Sequence, residues 1–526
     1  MSYKGIKKIK IPVKAEEIAT AEGFLAVLQN YLNSCLMVHN DNVTKEKKLL
    51  DYYKGNQDIL QKERPYTNKG NNTIVENHAK RQVDFKVDFL LGDKMQFTHK
   101  SEDCNDDLHI FNRFLSDSGF YTEQREYKKD CYIYGVGVTF AQPRTDIIDN
   151  DYNYSEEYNK DTEAPFNINC VSPTKNFVVY SSYIGEMPLF GINIADVTDN
   201  VEDENLVQKY IITVYSKNYT ISFSGSPGFQ VIDFNKPTEP IIENEFKDIP
   251  IIEHYYNKER MGVIEVNKSL YDSINFIVSN AADAAYDSVN KVFVIKNASI
   301  ESTEDDNPIA DMIEAGIIEL KTNVPETPAD CYTIDMEYSQ ADANTFYEQR
   351  VSKAYDIAGV PLASGVTTSG GDTGKARLLG GGWENAYTII KGDIIGFEKC
   401  DYALLNQLLK ICHTIPDTKV NELYASQIEL HYNINPNDNI LVKTQSAVNL
   451  YGINYPLEGI LKVTGLSFDT CADANKWQGN IDKAEELNLK ELKETKFIND
   501  SQNDNNETQN DKNNVADSGN ADDTNV

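Results

Sequence analysis

A long helix with a narrow apolar stripe constrains the fold of this chain more than any other segment. Residues Asn267–Ser288 show helical periodicity, and at 1.5 Å per residue such a helix is about 33 Å long. Its apolar stripe consists of Leu270, Ile274, Ile277, Ala281 and Ala285. The opposite face carries Ser, Asn and Asp. Because much of the stripe is alanine, we expect this helix to pack closely against neighbours and to need partners outside its own domain.

A compact α/β insert follows this helix, and a second polar helix returns after it. The insert, Val289–Met336, is predicted to contain the strand Val292–Lys296, an acidic turn at Glu301–Asp306 and a short helix near Ile309–Ala315. The returning helix is predicted over Ser339–Ala358. Helix, insert and returning helix form a hairpin that projects the insert away from the main body.

The segments on either side of this hairpin alternate between helical and strand periodicity. Helices are predicted within residues 1–50 and over Asn77–Leu91, Phe111–Lys129, Trp383–Cys412 and Asn480–Phe497. Strands are predicted over Cys131–Ala141, Phe177–Tyr180, Leu189–Ile194, Tyr210–Tyr215, Tyr219–Phe223 and within Glu429–Val442. Short β-branched and aromatic runs between turn residues favour a largely antiparallel sheet, so the predicted fold class is α+β.

The charge of the chain excludes one class of function. Its 526 residues include 82 Asp and Glu against 50 Lys and Arg, which gives a formal net charge of −32. A protein that grips nucleic acid by neutralising phosphates needs a basic surface instead. Part of the charge lies in the Asn- and Asp-rich stretch from Asp500 onward, which has too few apolar residues to fold alone.

The sequence predicts a protein of a reducing compartment without a membrane anchor. No segment approaches the ~18 apolar residues of a membrane span, and the basic N-terminus lacks the apolar stretch of a signal peptide. The eight cysteines show no CxxC pair and no regular spacing. Reduced, mostly buried thiols are therefore favoured over a disulfide framework.

One glycine-rich segment is similar to a phosphate-binding loop but lacks two of its required residues. In Gly371–Ala376 (GDTGKA), the motif would need glycine at Ser369 and Ser or Thr at Ala376, where the hydroxyl binds magnesium. A flexible glycine-rich loop is the favoured alternative. The seven histidines form no HExxH motif and no His/Cys cluster, and no GxSxG motif occurs. The sequence therefore predicts no catalytic residue, no metal site and no cofactor.

Six segments form a series that covers roughly residues 50–415. They are Tyr52–Ile59 (YYKGNQDI), Asn71–Asn77 (NNTIVEN), Val83–Gly92 (VDFKVDFLLG), Tyr134–Gly137 (YGVG), Ile249–Glu253 (IPIIE) leading into Leu270–Asn275, and Gly371–Ala376. In order and spacing, the series resembles the portal (head-to-tail connector) proteins of tailed bacteriophages, in the branch typical of long non-contractile-tailed phages. The resemblance implies a ring, normally of twelve subunits, at one vertex of the capsid.

The resemblance also implies an architecture of wing, stem, clip, tunnel loop and crown. Carried onto this sequence, it assigns an N-terminal leader and helix (1–50), an α/β wing (51–266), a first stem helix (267–288), a small α/β clip (289–337), a second stem helix (338–364), a tunnel loop (365–382), a long wing helix (383–415), the wing end with a mainly helical crown (416–497) and a disordered acidic tail (498–526).

Particular residues receive roles from the resemblance alone. Stem packing is expected at Leu270, Ile274, Ile277, Ala281 and Ala285. The clip is expected to include Val292, Val294, Glu301, Asp305 and Asp306. The tunnel loop inside the DNA channel is expected to consist of Thr367, Thr368, Ser369, Gly370, Gly371, Asp372, Thr373, Gly374 and Lys375.

The function implied by the resemblance is a conduit and not a catalyst. A homo-oligomer, expected to be a dodecamer, would pass double-stranded DNA during packaging and ejection. Its expected partners are the packaging ATPase (large terminase), the scaffolding and major capsid proteins and a head–tail adaptor, with no membrane contact. We expect the protein in the virion, and in the host cytoplasm during assembly. A channel through which duplex slides should lack matched Lys and Arg, in agreement with the acidic composition.

Two other functions remain open from the sequence. One is an enzyme of the packaging apparatus, an ATPase or nuclease that uses Gly370–Lys375. The other is a capsid or adaptor protein without a channel, which binds only other proteins.

Overall fold

The computed structural model describes two compact units. The described residues are 5–63, 71–100, 106–144, 158–197, 209–244, 246–289, 292–299, 321–322, 328, 330–334, 340–362, 382–414, 419–434, 440–464, 476–484 and 486–490. The first unit comprises residues 1–95, 109–425 and 432–436, and the second comprises residues 96–108, 426–431 and 437–526.

Helices and strands both contribute substantially, which confirms the α+β fold class. The helices are α1 (Ala21–Lys54), α2 (His78–Leu90), α3 (Asp106–Asp117), α4 (Phe120–Tyr134), α5 (Val263–Val289), α6 (Gln340–Ala358), α7 (Trp383–Cys412), α8 (Ile440–Gly452) and α9 (Leu457–Thr464). The strands are β1 (Ile9–Ile11), β2 (Gln96–His99), β3 (Gly137–Pro143), β4 (Phe166–Val171), β5 (Asn176–Ser181), β6 (Pro188–Asp196), β7 (Tyr210–Ser216), β8 (Tyr219–Gly225), β9 (Glu239–Glu243), β10 (Ile251–His254), β11 (Val292–Lys296), β12 (Ala298–Ser299), β13 (Lys321–Thr322), β14 (Asp330–Ile334) and β15 (Ile428–His431).

A six-stranded sheet in the first unit has the order β1-β5-β6-β7-β8-β9. β1 is parallel to β5, and the remaining neighbours are antiparallel. The helix α1 covers one face, where Phe24, Leu28 and Leu32 share a core with Phe190 and Val214 of the sheet. The largely antiparallel sheet predicted from the strand pattern is therefore confirmed.

A second core of the first unit lies among the helices α2, α4, α5, α6 and α7. Its buried side chains include Val83, Tyr132, Ile274, Tyr355 and Phe397, one from each of these helices. The three-stranded antiparallel sheet β10-β3-β4 contacts α4 and α7 next to this core. The first unit thus has a core among its helices in addition to the core between α1 and the six-stranded sheet.

The helices α5 and α6 pack against each other and flank the predicted insert. The start of α5 meets the end of α6, where the Asn267 Nδ2 group donates to the Ala354 carbonyl at 2.9 Å. Between them, β11 pairs antiparallel with β14, from Val292 opposite Ile334 to Lys296 opposite Asp330. The predicted helix and returning helix are therefore present, with the predicted strand Val292–Lys296 between them, although α5 begins four residues before the predicted start at Asn267.

The second unit contains β2 and β15, which pair antiparallel, and the helices α8 and α9, which pack together. Residues 476–484 and 486–490 are also helical. Tyr451 stacks on Trp477 with 5.8 Å between the ring centroids. None of the helices in the described ranges is long and apolar enough to cross a membrane.

Three predicted elements are wrong in part. The helix predicted over Phe111–Lys129 is two helices, because Gly119 takes a φ of +71° that ends the regular backbone. The strand predicted from Cys131 begins only at Gly137, since residues 131–134 form the last turn of α4, which Gly135 ends at φ +93°. The strand pattern of Glu429–Val442 stops at His431, and Ile440 already begins α8.

The cause of the second error is burial. The run CYIY is rich in residues with strand propensity, yet all four side chains are buried, as are Gln124, Tyr127 and Lys128 of the same helix. Context therefore overrides local propensity here. In contrast, α7 spans Trp383–Cys412 as predicted. The short helix near Ile309–Ala315 and the tail 498–526 lie outside the described residues.

Candidate functional site

The polar face of α5 is covered by a segment that we call the strap, residues 71–77. Three backbone N–H groups of the strap donate to three side chains of α5: Asn72 to Asp283 Oδ1 (2.6 Å), Ile74 to Ser279 Oγ (2.9 Å) and Glu76 to Asn275 Oδ1 (2.9 Å). The three acceptor side chains are completely buried. The part of the polar face that contains Asn275, Ser279 and Asp283 is therefore not a solvated surface.

The spacing of these hydrogen bonds follows from the geometry of the two backbones. Two residues of an extended chain advance about 6.6 Å, and four residues of a helix advance about 6.0 Å. Alternate strap residues therefore meet every fourth residue of α5, and the two segments run in opposite directions. A polar residue at each of positions 275, 279 and 283 satisfies a backbone donor that burial would otherwise leave without a partner.

Side chains on both sides of the strap attach it further. Lys62 donates to Asp283 Oδ2 at 2.6 Å and to Asn280 Oδ1 at 2.9 Å. At the other end, the Tyr347 hydroxyl of α6 donates to Glu76 Oε2 at 2.7 Å, and His78 contacts the same oxygen at 2.9 Å. The strap therefore joins α5 to α6.

The Asp283 carboxylate is the electrostatic centre of this arrangement. Burial by itself raises the pKa of Asp283, but hydrogen bonds from the Asn72 backbone and the Lys62 ammonium outweigh it. The net effect holds the pKa of Asp283 below its ordinary value. The side chain is therefore a charged acceptor at neutral pH, with Lys62 as its counterion.

Buried ion pairs hold the helices next to the strap. The Lys128 ammonium donates to both Asp401 oxygens, at 2.7 and 2.9 Å, and lies 3.5 Å from the centroid of the Phe397 ring. Lys86 of α2 similarly donates to Asp393 of α7 at 2.9 Å. These pairs fix α7 against α2 and α4. Within the described ranges, no group of His, Cys, Asp and Glu side chains is arranged to hold a metal ion.

Comparison with known proteins identifies the family. A family model described as phage portal protein, SPP1 Gp6-like, matches residues 32–376, about two thirds of the chain. The chain belongs to this family. No curated protein matches the chain.

The matched range contains the strap and the paired helices of this portal protein. It begins within α1 and ends after α6, at the GDTGKA segment, so α5, the insert and α6 lie inside it. The helix α7 and the second unit apart from residues 96–108 lie beyond residue 376. Family membership therefore concerns the part of the chain in which the helix–insert–helix arrangement lies.

The predicted stem residues occupy the edge between the buried and the exposed faces of α5. Ile274 is completely buried in the core shared with α6, whereas Ala285 is exposed. Leu270, Ile277 and Ala281 are half-buried. The stripe thus packs against the rest of the chain at its N-terminal end and becomes more exposed toward its C-terminal end.

Other predicted residues lie partly or wholly outside the described residues. Val292 and Val294 belong to β11, where they pair with Ile334 and Tyr332 of β14. Glu301, Asp305 and Asp306 of the predicted clip lie outside the described residues, as does the whole predicted tunnel loop, Thr367–Lys375.

Sequence reasoning missed the strap, although signals for it exist. Asn275, Ser279 and Asp283 recur at every fourth position, and the NNTIVEN segment contains alternating positions that can face one helix. Taken separately, the first pattern is typical of a solvated helix face and the second of a loop. Only their pairing shows that they form one structure.

Proposed function

We propose that this portal protein assembles into a ring of about twelve copies at one capsid vertex and forms the channel for double-stranded DNA. In this proposal α5 and α6 are the stem, and the insert between them, including β11 and β14, is the clip. Residues 365–382 form the tunnel loop, α7 is the wing helix behind it, and the second unit contributes the crown.

The observation that carries the proposal is the distribution of side chains on the paired helices. The strap already occupies the polar face of α5, so this face is not available to another subunit. Apolar side chains remain exposed elsewhere, at Val266 and Phe276 of α5 and at Phe346 and Ile357 of α6. In a ring, each helix pair would bury these side chains against the next copy.

The acidic composition supports passage of DNA without retention. Duplex carries one charge per ~1.7 Å of helix axis, so walls with matched Lys and Arg would hold it. A chain with a net charge of −32 instead repels the phosphates. The energy for DNA movement would come from a separate packaging ATPase, which docks at the clip. Scaffolding protein, major capsid protein and a head–tail adaptor are the other proposed partners.

End-on electron microscopy of the purified full-length protein tests the proposal. We expect rings with an axial hole wide enough for a DNA duplex. Monomers at all concentrations, in images and by sedimentation, would refute it. Discs without a hole would favour the alternative of a capsid or adaptor protein without a channel.

A deletion tests the role of the tunnel loop separately. Removal of Thr367–Thr373 should leave ring assembly intact and reduce DNA packaging or retention, because the segment would act only on DNA. Loss of rings together with aggregation of the subunits would show that the segment is structural and that the tunnel-loop assignment is wrong.

A further inference from the structure

The turn between β5 and β6 exposes apolar side chains that the proposed function does not explain. We call this turn, residues 182–187, the finger. Ile184 is fully exposed, and Tyr183 and Met187 are 48% and 61% exposed. Three large apolar side chains within five residues form a contiguous surface of the kind that marks an interaction site.

The finger is held in one conformation. The Glu186 N–H donates to the Tyr183 carbonyl at 3.0 Å, and Gly185 has a φ of +97° at the third position of this turn, where type II turns need glycine. The Ser181 N–H donates to the Met187 carbonyl at 2.9 Å and closes the hairpin. A turn that is already ordered before binding loses little conformational entropy when it binds.

Positively charged side chains of the N-terminal segment also lie next to the finger. Lys8 and Lys10 both donate to the Glu186 carboxylate, and the Lys14 ammonium lies 5.5 Å from the Tyr183 ring. Two lysines thus pair with Glu186 and a third lies over Tyr183, so these four side chains sum to +2, whereas the whole chain has a charge of −32. The surface that best complements the finger is therefore apolar with an acidic edge. Because this chain is itself acidic, a second copy of it can supply such a surface.

Such a surface exists on the first unit, as a cleft of about 350 Å³ between the start of α5, the end of α6 and α7. Its apolar walls are Val263, Val266, Ile357, Ala358 and Ile389. The ion pair of Lys86 and Asp393 lines it together with Glu259, so its charged side chains sum to −1. This volume lies within the range of about 300–1,000 Å³ that is typical of ligand clefts.

We propose that the finger of one copy inserts Ile184 into the cleft of a second copy. The two patches lie at different places on each chain, so the contact is heterologous and repeats from copy to copy, as a closed ring requires. This inference rests on the proposed ring and specifies one contact within it. Val266 and Ile357, exposed in the single chain, become buried by Ile184 of the neighbour.

Cross-linking of the full-length protein tests the contact. In the variant Ile184→Cys/Ile357→Cys, a short bismaleimide should give covalent products of twice the subunit mass or more. Thiols adjacent in an interface have an effective concentration in the mM range, so at µM protein we expect at least ~10-fold more product than in the control. The control is Ile184→Cys/Ile232→Cys, because Ile232 is more exposed than Ile357 (66% against 51%) but does not line the cleft. The wild type gives the background from the native cysteines.

A charge substitution supplies a second measurement. Ile184→Asp should raise the subunit dissociation constant at least ~10-fold by sedimentation, because it places a carboxylate in an apolar cleft, where a buried charge is costly. The melting temperature of the dissociated subunit should not change, since Ile184 touches only solvent in the single chain. Ile232→Asp should alter neither quantity.

Outcomes for the contact and for the ring are separable. If the wild type forms rings but the Ile184→Cys/Ile357→Cys variant gives no more product than its control, the contact is wrong and the proposed function stands. If the wild type remains a monomer, the proposed function fails together with the contact.

Discussion

Replacement of Asp283 by alanine should detach the strap from α5. The change removes the acceptor of the Asn72 N–H (2.6 Å) and of the Asn72 side-chain amide (2.9 Å). It also removes the counterion of Lys62, whose ammonium lies 2.6 Å from Asp283 Oδ2. The Asp283 side chain is completely buried, and the Lys62 side chain is only 12% exposed.

The expected cost is large because a buried ion pair loses one partner. Such truncations cost about 3–5 kcal/mol, since the remaining charge stays buried without compensation. The Lys62 side chain lies close to solvent, so its ammonium can turn outward when Asp283 is removed. The lower end of this range therefore applies. We therefore expect the free energy that holds the strap to fall by ~3 kcal/mol.

Amide hydrogen exchange measures this loss where it occurs. Each 1.4 kcal/mol is a factor of ten, so exchange at the Ile74 and Glu76 amides should become about 100-fold faster. Amides at the centre of the six-stranded sheet should change little. The variant Asp283→Asn keeps an oxygen for the Asn72 N–H and should give an intermediate effect.

The matched control is Asp356, which forms an exposed ion pair on α6, the helix that packs against α5. Asp356 lies 3.7 Å from Lys353, and both side chains are more than 60% exposed. Asp356→Ala should change stability by less than ~1 kcal/mol. Equal effects of Asp283→Ala and Asp356→Ala on strap exchange would refute the assignment of the strap as an element fixed by buried polar contacts.

Low pH should release the strap as the Asp283 substitution does. The pKa of Asp283 is lowered in the folded protein, so its contribution to stability is complete above the ordinary aspartate pKa of ~3.9. The contribution is lost as pH falls below this value. Strap exchange should therefore accelerate in acid in the wild type and less so in Asp283→Asn.

Three further perturbations follow from other buried groups. Burial, followed by the charge of Glu253, raises the pKa of Glu46 to about 8. The free energy of unfolding should therefore fall as pH rises from ~4.5 through 8. Glu46→Gln should abolish this fall, as measured by chemical denaturation. Lys128→Met leaves the Asp401 carboxylate buried without its cation and should cost about 3–5 kcal/mol by the same assay. Ala281→Trp overpacks the proposed stem interface by about 1–3 kcal/mol per subunit and should lower the yield of rings in electron micrographs.

Each of these expectations has a result that contradicts it. If stability falls between pH ~4.5 and 8 in Glu46→Gln as it does in the wild type, another group causes the loss. A Lys128→Met protein as stable as the wild type would show that the pair adds no net stability. Unchanged ring yield in Ala281→Trp would mean that this face of α5 is free of neighbours in the ring.

Much of the secondary structure was predictable because single segments carry complete signals. The helix α7 repeats apolar residues with a period near 3.6 from Ala386 to Ile411, and its bounds match the prediction. Strands β5 to β8 alternate or run apolar between turn residues, and these predictions are also confirmed. One error arose at Gly119, where a positive φ divides the predicted helix into two. Another arose in residues 131–134, where burial of all four side chains keeps a segment of high strand propensity in a helix.

The candidate site was less predictable, since its parts lie far apart in the sequence. The sequence alone determined that α5 has one narrow apolar stripe and one face of Ser, Asn and Asp. Tertiary structure decided what covers each face. The strap lies about 200 residues earlier in the chain and satisfies the polar face through backbone N–H groups, which every residue type provides. Those donors cannot be recognised from residue identity. Only the folded chain therefore shows that Asn275, Ser279 and Asp283 are internal and which apolar side chains of α5 and α6 stay exposed.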